Sequence, residues 1–558
     1  MEKSEKIEDE YPRAGYEYQL SLKPMLEYAA FNFPREEIVY RDISRYNYAK
    51  YYERVQRLAN VLDKLGIDKG DMVGIMDWNT HRFLEAYFGV PCRGSVMHMI
   101  NPALPPEQVA YTINHAEDKV LLLNADFLPL IHALKGSLKT VKNYVIMTDK
   151  GEMPENSLEP VHDYESLMDE ASPEYEFPDL NENTIATMFY TTGTTGWPKG
   201  VFFSHRALTI HTMVWSGQII QHYKPPGNMV VSHLVPMFHV HSWGIPFSGV
   251  YMGIKQVLPG RLTPEVFLEL VKNEGVNFAC SVPSFLRMVC YHPDIEEYRP
   301  YLRGLHYVVG GSALPKALSM RAEELGMQAI GAWGMSETSP IIGASFFKPH
   351  MKDWPDDKKM DFQIKAGWPG PYVDQRVVDV GGRDVLRDGK QMGEVILRAP
   401  WLTMGYYRDP ERSMELWRDG WLHTGDIANI DDEGNIRIVD RDKDVVKSGG
   451  EWISTIILED LITMDDSVQE VAVIGAPHPE WEERPIALVV PKTGMEASEE
   501  KLRDNLNQFV SQGKILKWWI PDRFFVVDSI PKTSVGKINK KALKPEYKDL
   551  FTALSENP

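Results

Sequence analysis

Short apolar runs alternate with amphipathic stretches through the first 310 residues, and this alternation constrains the fold more than any other feature. The stretches between the runs include "NTHRFLEAYFGVPCRG", typical of a helix that ends at a glycine, and the helix-like "PPEQVAYTINHAE". The strand-like runs are "MVGIMDW" (72–78), "VMHMI" (96–100), "KVLLLNA" (119–125), "TIATMFY" (184–190), "NMVVSHLV" (228–235) and "LHYVVGG" (305–311). Strands that alternate with helices predict an α/β fold, in which helices cover both faces of parallel sheets.

The sequence texture changes twice further along. From about residue 370, short strands and Gly/Asp turns such as "GEVILR" and "DDEGNIRIVD" predict a β-rich subdomain. After "DRDKDVVKSGGEWIS", the runs "VQEVAVIGAP" and "PIALVVPK", an amphipathic helix near 502–510 and "RFFVVDSIP" predict a small α+β unit. We therefore predict a large N-terminal domain (1–440) of two αβ-layered subdomains plus the β-rich subdomain, a connecting segment (441–444) and a small C-terminal domain (445–558).

Composition excludes several classes of protein. The 558 residues are 43% apolar and 25% charged, as in a globular chain, and no apolar run approaches the roughly 20 residues that span a bilayer. The net charge of -19 argues against nucleic acid as a partner. The charged N-terminus lacks the apolar segment of a signal peptide, and the three cysteines Cys92, Cys280 and Cys290 have no metal-ligand spacing. A cytoplasmic protein with core cysteines is the expectation.

Charge is distributed unevenly, since residues 511–558 hold nine Lys or Arg and five Asp or Glu. This local excess of positive charge is compatible with an ordinary solvated surface or with a face for an anionic ligand.

"YTTGTTGWPKG" (190–200) follows an apolar strand and has the composition of an anion-binding loop. Glycines allow backbone N–H groups to approach an anion, threonine hydroxyls add donors, and Lys199 adds positive charge. The loop does not fit the G-x-x-x-x-G-K-[ST] pattern, because Pro198 precedes the lysine and Gly200 follows it. Trp197 is expected to pack at the tip of the loop, with the C-terminal domain as one candidate partner.

Further motifs follow this loop in a fixed order. They are "GMSETSP", "HTGD", "DRDKD", "KSGGEW" and "PKTSVGK". In this order and spacing the chain resembles the adenylate-forming superfamily of acyl-CoA synthetases, adenylation domains and luciferases, from about residue 35 to 545. "VPMFHVHSWGIPF" and "KSGGEWIS" resemble most the prokaryotic medium- or long-chain fatty acyl-CoA synthetases.

The resemblance implies a two-step ligation that uses ATP, Mg²⁺ and coenzyme A. A carboxylate first attacks the α-phosphorus of ATP to give acyl-AMP and pyrophosphate, and the thiol of coenzyme A then displaces AMP. Because both reactants of the first step are anions, neutralising charge is the main task of the site.

The resemblance also implies which residues bind the nucleotide. Glu337 matches a magnesium-binding acid, with the Ser336 hydroxyl beside it, Trp333 matches an aromatic residue that stacks on adenine, and Asp426 and Arg441 match the ribose contacts. The full implied ATP- and AMP-binding set is Thr191, Thr192, Gly193, Thr194, Thr195, Gly196, Lys199, Gly311, Ser312, Trp333, Gly334, Met335, Ser336, Asp426 and Arg441.

Other positions match the catalytic and acyl-binding parts of the family. Lys537 matches the lysine that bridges the attacking carboxylate and the α-phosphate, and His239 matches the position beside the carboxylate. Trp243 matches a tryptophan that gates the acyl tunnel, next to Gly244.

Lys443 matches the hinge about which a mobile C-terminal domain rotates between the two half-reactions, and coenzyme A contacts are implied for Lys447, Gly449 and Gly450. Thr455 and Ile457 depart from the proline and glutamate that many relatives have, while Glu459 is retained.

Several alternatives stay open on sequence alone. The substrate could be an aryl, branched or short-chain acid, or the chain could be an inactive lipid-binding relative. A luciferase-like oxygenase shares the fold and the adenylation step. A homodimer is a further possibility that the resemblance to long-chain relatives raises.

Overall fold

The computed structural model of the chain describes residues 15–149, 151–191, 197–223, 225, 227–449, 451–532 and 538–551. They form four β-sheets with helices packed against them, so the predicted α/β class with a large N-terminal and a smaller C-terminal part is confirmed. Within these residues, no helix has the length and apolar character needed to cross a bilayer.

The predicted strand–helix alternation builds two large sheets. A hairpin of β1 (Glu37–Tyr40) and β2 (Ser44–Asn47) comes first and joins the second sheet. The first sheet has the order β7-β6-β5-β3-β4-β8-β9, and only its last pair, β8–β9, is antiparallel. Its strands are β3 (Met72–Met76), β4 (Val96–Met99), β5 (Val120–Asn124), β6 (Asn143–Met147), β7 (Val161–Asp163), β8 (Ile185–Thr191) and β9 (Lys199–Ser204).

The second sheet is parallel from β14 to β1 and has antiparallel strands at both edges. Its order is β16-β15-β14-β13-β12-β10-β11-β1-β2. The remaining strands are β10 (Val230–Ser232), β11 (Lys255–Leu258), β12 (Phe278–Ser281), β13 (His306–Val309), β14 (Gln328–Gly334), β15 (Ile341–Ala344) and β16 (Trp368–Pro369).

Helices connect these strands and cover the sheets. Most begin at a side-chain cap or a proline, as at Asn47, whose side chain accepts from the Lys50 N–H. They are α1 (Lys23–Asn32), α2 (Tyr48–Lys64), α3 (His81–Gly89), α4 (Pro106–Ala116), α5 (Leu128–Leu134), α6 (Tyr164–Glu170), α7 (His205–His222), α8 (Ile245–Met252), α9 (Pro264–Glu274), α10 (Pro283–Cys290), α11 (Ile295–Leu302), α12 (Lys316–Glu324) and α13 (Asp356–Gln363).

The β-rich segment predicted after residue 370 forms a third, antiparallel sheet. It contains β17 (Asp374–Val378), β18 (Gly393–Arg398), β19 (Trp417–Arg418), β20 (Trp421–Ile430) and β21 (Ile436–Arg441), with α14 (Pro410–Leu416) before β19. One apolar core joins all three sheets, since it includes Ile75 of β3, Val308 of β13 and Val395 of β18.

The C-terminal part has its own sheet and its own core. Its strands are β22 (Val446–Ser448), β23 (Glu451–Ile453), β24 (Val468–His478), β25 (Glu482–Pro491) and β26 (Arg523–Val526), and its helices are α15 (Thr455–Thr463), α16 (Glu499–Ser511) and α17 (Lys540–Leu543). Its main core draws on residues from Val446 onward. The boundaries 1–440, 441–444 and 445–558 stay a prediction that this separation supports.

The three cysteines are free and buried, as expected from their sparse distribution. Burial raises the pKa of the Cys290 thiol to about 12. The thiols are therefore core groups rather than nucleophiles.

Five buried histidines make stability depend on pH. Burial lowers the pKa of four of them to about 4 and that of His241 to about 3; the four are His205, His211, His233 and His306. A histidine of the unfolded chain binds a proton near pH 6.5, whereas these buried rings stay neutral down to about pH 4. Their contribution to stability is therefore present above about pH 6.5 and is lost as the pH falls toward 4. Each contributes a slope of about 1.4 kcal/mol per pH unit within that window.

We expect the thermal midpoint to fall steeply between pH 6.5 and 5, measured by calorimetry. His306→Phe should reduce the dependence of the thermal midpoint on pH, because it removes one buried group that can bind a proton. Phenylalanine should fit at this position, since the His306 ring already lies parallel to Phe278 with centroids 6.0 Å apart. An unchanged slope in this variant would contradict the assignment.

Candidate functional site

The anion-binding loop leaves the first sheet at β8 and returns through β9. Thr191, at the end of β8, is the register partner of Lys199 at the start of β9. The Thr191 Oγ1 atom is buried and has no hydrogen-bond partner among the described residues, so it is available to a ligand at the loop. The predicted phosphate-binding residues Thr192, Gly193, Thr194, Thr195 and Gly196 lie outside the described residues.

Lys199 and Glu337 are joined through a tyrosine that sequence reasoning missed. The Lys199 Nζ atom lies 3.9 Å from the centroid of the Tyr406 ring, and the Tyr406 hydroxyl donates to Glu337 Oε1 at 2.7 Å. Burial lowers the pKa of Lys199, while the nearby Glu337 carboxylate raises it. The ammonium group thus lies over the face of the Tyr406 ring, and the carboxylate accepts from its hydroxyl group.

Glu337 lies in a short 3-10 turn, Ser336–Thr338, directly after β14. Its side chain is buried and its backbone carbonyl accepts from Thr403 N–H at 3.0 Å. The part of the chain that the structure describes contains no group of three His, Cys, Asp or Glu residues that could hold a metal ion. A single carboxylate beside the Ser336 hydroxyl fits magnesium that takes its other oxygen ligands from phosphates and water.

Asp426, the acidic residue predicted to bind the ribose hydroxyls, lies where the second and third sheets meet. Asp426 of β20 is almost fully buried, and its Oδ2 accepts from the Trp333 Nε1–H at 2.9 Å. The Arg441 guanidinium of β21 forms an ion pair with this carboxylate, with Nε 2.6 Å from Asp426 Oδ1. Burial raises the pKa of Asp426, and the Arg441 charge opposes the shift. A charged carboxylate of this kind accepts hydrogen bonds from the hydroxyl groups of a ligand.

Trp333 therefore contacts Asp426, the predicted ribose contact, directly, which sequence reasoning did not anticipate. The stacking of its ring on adenine stays a prediction. The predicted backbone wall, Gly311 and Ser312, follows β13 and is exposed, with Gly311 at φ +76°. Gly334 ends β14 and Met335 follows it. A Cβ atom on Gly334 would lie 1.8 Å from the Pro340 carbonyl oxygen, so only glycine fits.

The predicted acyl segment contains a left-handed turn. Five consecutive residues, Val240 to Gly244, have positive φ angles, although four of them are not glycine. Such backbone costs roughly 1–2 kcal/mol per L-residue and clusters at functional sites. The turn carries Trp243, which is buried with its ring against Gly310 and Gly311. The turn therefore places Trp243, the predicted gate of the acyl tunnel, between the predicted acyl segment and the predicted backbone wall of the nucleotide site.

Side chains from three elements stabilise this turn. The Ser242 hydroxyl donates to the Val235 carbonyl at 2.7 Å, and His241 Nε2 lies 2.8 Å from Thr187 Oγ1. A Cβ atom on Gly244 would lie 3.0 Å from the His211 ring. His239 precedes the turn and is exposed.

The predicted hinge lies next to the nucleotide residues. Lys443 is close enough to Asp426 and Lys199 for their charges to affect its pKa, which partial burial lowers. The Lys544 ammonium donates to the Lys443 carbonyl at 2.8 Å. The predicted hinge therefore lies near Asp426 and Lys199 and contacts the C-terminal segment.

Of the predicted coenzyme A residues, Lys447 and Gly449 are described. Lys447 pairs with Asp442 at 3.2 Å, and Gly449 (φ +60°) lies against the Trp481 ring. Gly450 and the catalytic candidate Lys537 lie outside the described residues. The base of the segment that carries Lys537 is closed by a bridge between Lys532 and Ile538.

Thr455, which departs from the family pattern, has a defined place. Its N–H and its hydroxyl both donate to Asp440 Oδ2 at 2.6 Å, and its Oγ1 accepts from Lys540 Nζ at 2.5 Å. Lys540 also pairs with Glu459 at 2.7 Å, and burial raises the pKa of Glu459 to about 7. A proline at 455 could not donate to Asp440, so this departure adds a contact across the predicted hinge.

Comparisons with known proteins identify the family and the fold. The family model of AMP-binding enzymes matches residues 26–407, and that of the AMP-binding enzyme C-terminal domain matches residues 458–537. The chain is 42% identical over 548 residues to a long-chain-fatty-acid–CoA ligase of Thermus thermophilus (97% of this chain, 98% of that protein). It is 35% identical over 540 residues to a 3-methylmercaptopropionyl-CoA ligase of Ruegeria lacuscaerulensis (96% and 98%). The solved structure of ATP-bound MatB from Rhodopseudomonas palustris has the same fold (TM-score 0.78, 24% identity, 96% of this chain and 100% of that chain).

Proposed function

Because the chain belongs to the family of AMP-binding enzymes, we propose that it joins a medium- or long-chain fatty acid to coenzyme A through an acyl-AMP intermediate. A carboxylate oxygen bonds to the α-phosphorus of ATP as the bond to the β-phosphate breaks, which releases pyrophosphate. The thiol of coenzyme A then loses its proton and bonds to the acyl carbon, and AMP leaves. The observation that carries the proposal is the grouping of Lys199, Glu337 and Asp426 beside the ends of the anion-binding loop.

Charge explains why these residues suit the first half-reaction. Lys199 supplies a cation on the pyrophosphate side, and Tyr406 contacts both Lys199 and Glu337. Bound magnesium would neutralise phosphate oxygens, with Glu337 and Ser336 as the protein groups that hold it. Asp426 accepts the ribose hydroxyls and so orients the α-phosphate.

The buried Trp243 and the left-handed turn support a fatty acid as the substrate. An apolar wall next to the nucleotide can contact the carbons that follow the carboxylate, and such a wall discriminates by only about 1–3 kcal/mol per methylene. A different acid class is the second candidate, because the similar Ruegeria protein is named for a short thioether acid.

The deciding experiment is a screen of acids with ATP, Mg²⁺ and coenzyme A, reading AMP and acyl-CoA. The acids should run from acetate to palmitate and include benzoate and 3-methylmercaptopropionate. We expect the highest kcat/KM with a chain of six carbons or more. A maximum at the thioether acid or benzoate would favour the second candidate, and no product from any acid would contradict the ligase proposal.

Trp243→Ala should change which chain lengths are used. Removing the indole enlarges the space beside Gly310 and Gly311, so kcat/KM for the longest acids should rise relative to the shortest by about tenfold, with Trp243→Phe intermediate. Competition between two acids of different length in one reaction gives this ratio directly. An equal loss for every acid would mean that the ring supports the fold without contacting the chain.

We further propose residues 441–444 as the hinge and the cytoplasm as the location, the latter supported by three free, buried cysteines.

A further inference from the structure

Asn79 joins the first sheet to the predicted acyl segment. It lies between β3 and α3, and it is buried, with 4% of its surface exposed. Its Nδ2 group donates to the carbonyls of His233 at 2.7 Å and Val235 at 2.9 Å, and its Oδ1 accepts from the Met237 N–H at 2.8 Å. The side-chain amide therefore uses its donor hydrogens and its acceptor on one segment, residues 233–237, which follows β10.

The backbone around Asn79 is also held in place. The Asn79 carbonyl accepts from the N–H of Gly260, two residues after β11, at 2.9 Å. Asp77 accepts from the Trp78 N–H at 2.7 Å and from the Asn124 side chain at 2.6 Å. Because β3, β10 and β11 all end near these contacts, Asn79 lies where the carboxyl ends of the two sheets meet. In α/β sheets this edge is the usual position of a ligand-binding crevice.

The Val235 carbonyl connects Asn79 to the left-handed turn at residues 240–244. It accepts from Asn79 Nδ2 at 2.9 Å and from the Ser242 hydroxyl at 2.7 Å. Ser242 directly precedes Trp243, and both have positive φ angles, of 47° and 55°. Strained backbone persists only while the surrounding contacts hold it. A change at Asn79 therefore reaches the turn through one shared acceptor.

Tyr87 of α3 holds the same segment from the helix. Its hydroxyl donates to the Met237 carbonyl at 2.6 Å, and its buried ring meets Phe247 of α8 edge to face, with centroids 5.2 Å apart. Met237 is thus bonded through its N–H to Asn79 and through its carbonyl to Tyr87. Two side chains from the first half of the chain therefore fix the backbone that leads into the turn.

We propose that Asn79 and Tyr87 are positioning residues for the acid, which set the selectivity for chain length by holding residues 233–237 and, through them, the turn that carries Trp243. The proposal rests on the proposed ligase function and on the proposed role of Trp243 as the gate. Neither Asn79 nor Tyr87 needs to contact the acid. A wall that is held in place by packing and hydrogen bonds discriminates between chain lengths, whereas a wall that moves admits more of them.

Asn79→Ala is the first test, with two acids of different length competing in one reaction. The ratio of the two acyl-CoA products does not depend on how much of the protein is folded, so a purely structural defect leaves it unchanged. We expect the ratio to shift toward the longer acid, as in Trp243→Ala, by about three- to tenfold, the usual effect of one hydrogen bond. The KM for coenzyme A should stay within about twofold of wild type.

Asn435→Ala is the matched control, because Asn435 is also buried (1% exposed) and also bonded to distant backbone. Its Nδ2 donates to the Ser345 hydroxyl and to the Phe362 carbonyl, both at 3.2 Å, and its Oδ1 accepts from the Gly367 N–H at 2.8 Å. These contacts lie outside the acyl segment. Asn435→Ala should therefore lower the thermal midpoint as Asn79→Ala does, but leave the product ratio within about twofold of wild type.

Two further variants test the route and allow for a folding defect. If Asn79 acts through the indole, Asn79→Ala combined with Trp243→Ala should shift the ratio no further than Trp243→Ala alone. Tyr87→Phe keeps the ring and removes only the hydroxyl, and it should shift the ratio in the same direction. Tyr51→Phe, which removes a buried hydroxyl bonded to the Leu84 carbonyl at 2.7 Å, should leave the ratio unchanged.

An unchanged ratio in folded Asn79→Ala, or in Tyr87→Phe if Asn79→Ala does not fold, would overturn the proposal. An equal shift in Asn435→Ala would overturn it too, and so would a double variant whose shift is the product of the two single shifts. Wild-type protein that forms no acyl-CoA from any acid would instead contradict the proposed function.

Discussion

Replacing Lys537 with alanine should slow acyl-AMP formation by about 10²–10³-fold, the usual cost of one lost transition-state donor. The attacking carboxylate and the α-phosphate are both anionic, and a lysine between them lowers the barrier of this step alone. Thioester formation from supplied acyl-AMP should therefore continue at close to the wild-type rate. Pyrophosphate release measures the first step, and acyl-CoA formed from synthetic acyl-AMP measures the second.

Lys541→Ala is the matched control, because this exposed lysine lies on the same C-terminal segment. It keeps the fold and removes the same charge, so any general electrostatic effect of the basic segment should appear in both variants. If Lys537→Ala and Lys541→Ala lost activity alike, or if both half-reactions of Lys537→Ala fell equally, the assignment of Lys537 would be wrong.

The sheets could be predicted from sequence because their strands are buried on both faces. "KVLLLNA" and "VMHMI" are continuous apolar runs, and they form β5 and β4 in the middle of a parallel sheet. The β-rich segment was equally readable, since its strands are separated by short Gly/Asp turns. Local pattern is enough where a strand's own residues determine its burial.

The contacts within the site were not readable in the same way. Motif order identified Asp426 and Trp333, but the hydrogen bond between them joins residues 93 positions apart. Tyr406 was missed altogether, although it contacts both Lys199 and Glu337. The one available signal was its place in the turn sequence "GYYRDP", and nothing in that sequence indicates a distant partner.

The left-handed turn at residues 240–244 shows a stronger limit of prediction from sequence. Histidine, serine and tryptophan all disfavour positive φ, so local preference predicts the wrong backbone for residues 241–243. The turn exists because tertiary contacts offset its strain, among them the Ser242 hydroxyl bond to Val235. Sequence reasoning found the segment through its resemblance, and could not have found its conformation.

The proposed rotation about Lys443 would have a structural consequence that the motif alone does not suggest. Asp440 precedes the proposed hinge and Thr455 follows it, yet they are joined by two hydrogen bonds of 2.6 Å. A rotation about residues 441–444 would separate these groups, so the contact stabilises the arrangement described here over a rotated one. The Lys544 bond to the Lys443 carbonyl acts in the same direction.

Lys443→Pro should leave acyl-AMP formation within about threefold of wild type and slow thioester formation by roughly tenfold or more. A proline fixes φ of residue 443 near -65° and restricts the residue before it, so the chain loses the torsional freedom that the rotation requires. Rapid-mixing measurements of pyrophosphate release and of acyl-CoA formation from supplied acyl-AMP separate the two steps.

The side chain of Lys443 must be considered separately from its backbone, because its charge lies near Asp426 and Lys199. Lys443→Ala removes the charge and leaves φ of residue 443 free. The rates of both half-reactions should therefore be closer to wild type in Lys443→Ala than in Lys443→Pro. If Lys443→Ala impaired thioester formation as strongly as Lys443→Pro, the side chain rather than the hinge would be responsible. If Lys443→Pro instead blocked adenylation and spared thioester formation, the position could not be the hinge that carries the C-terminal part from the first half-reaction to the second.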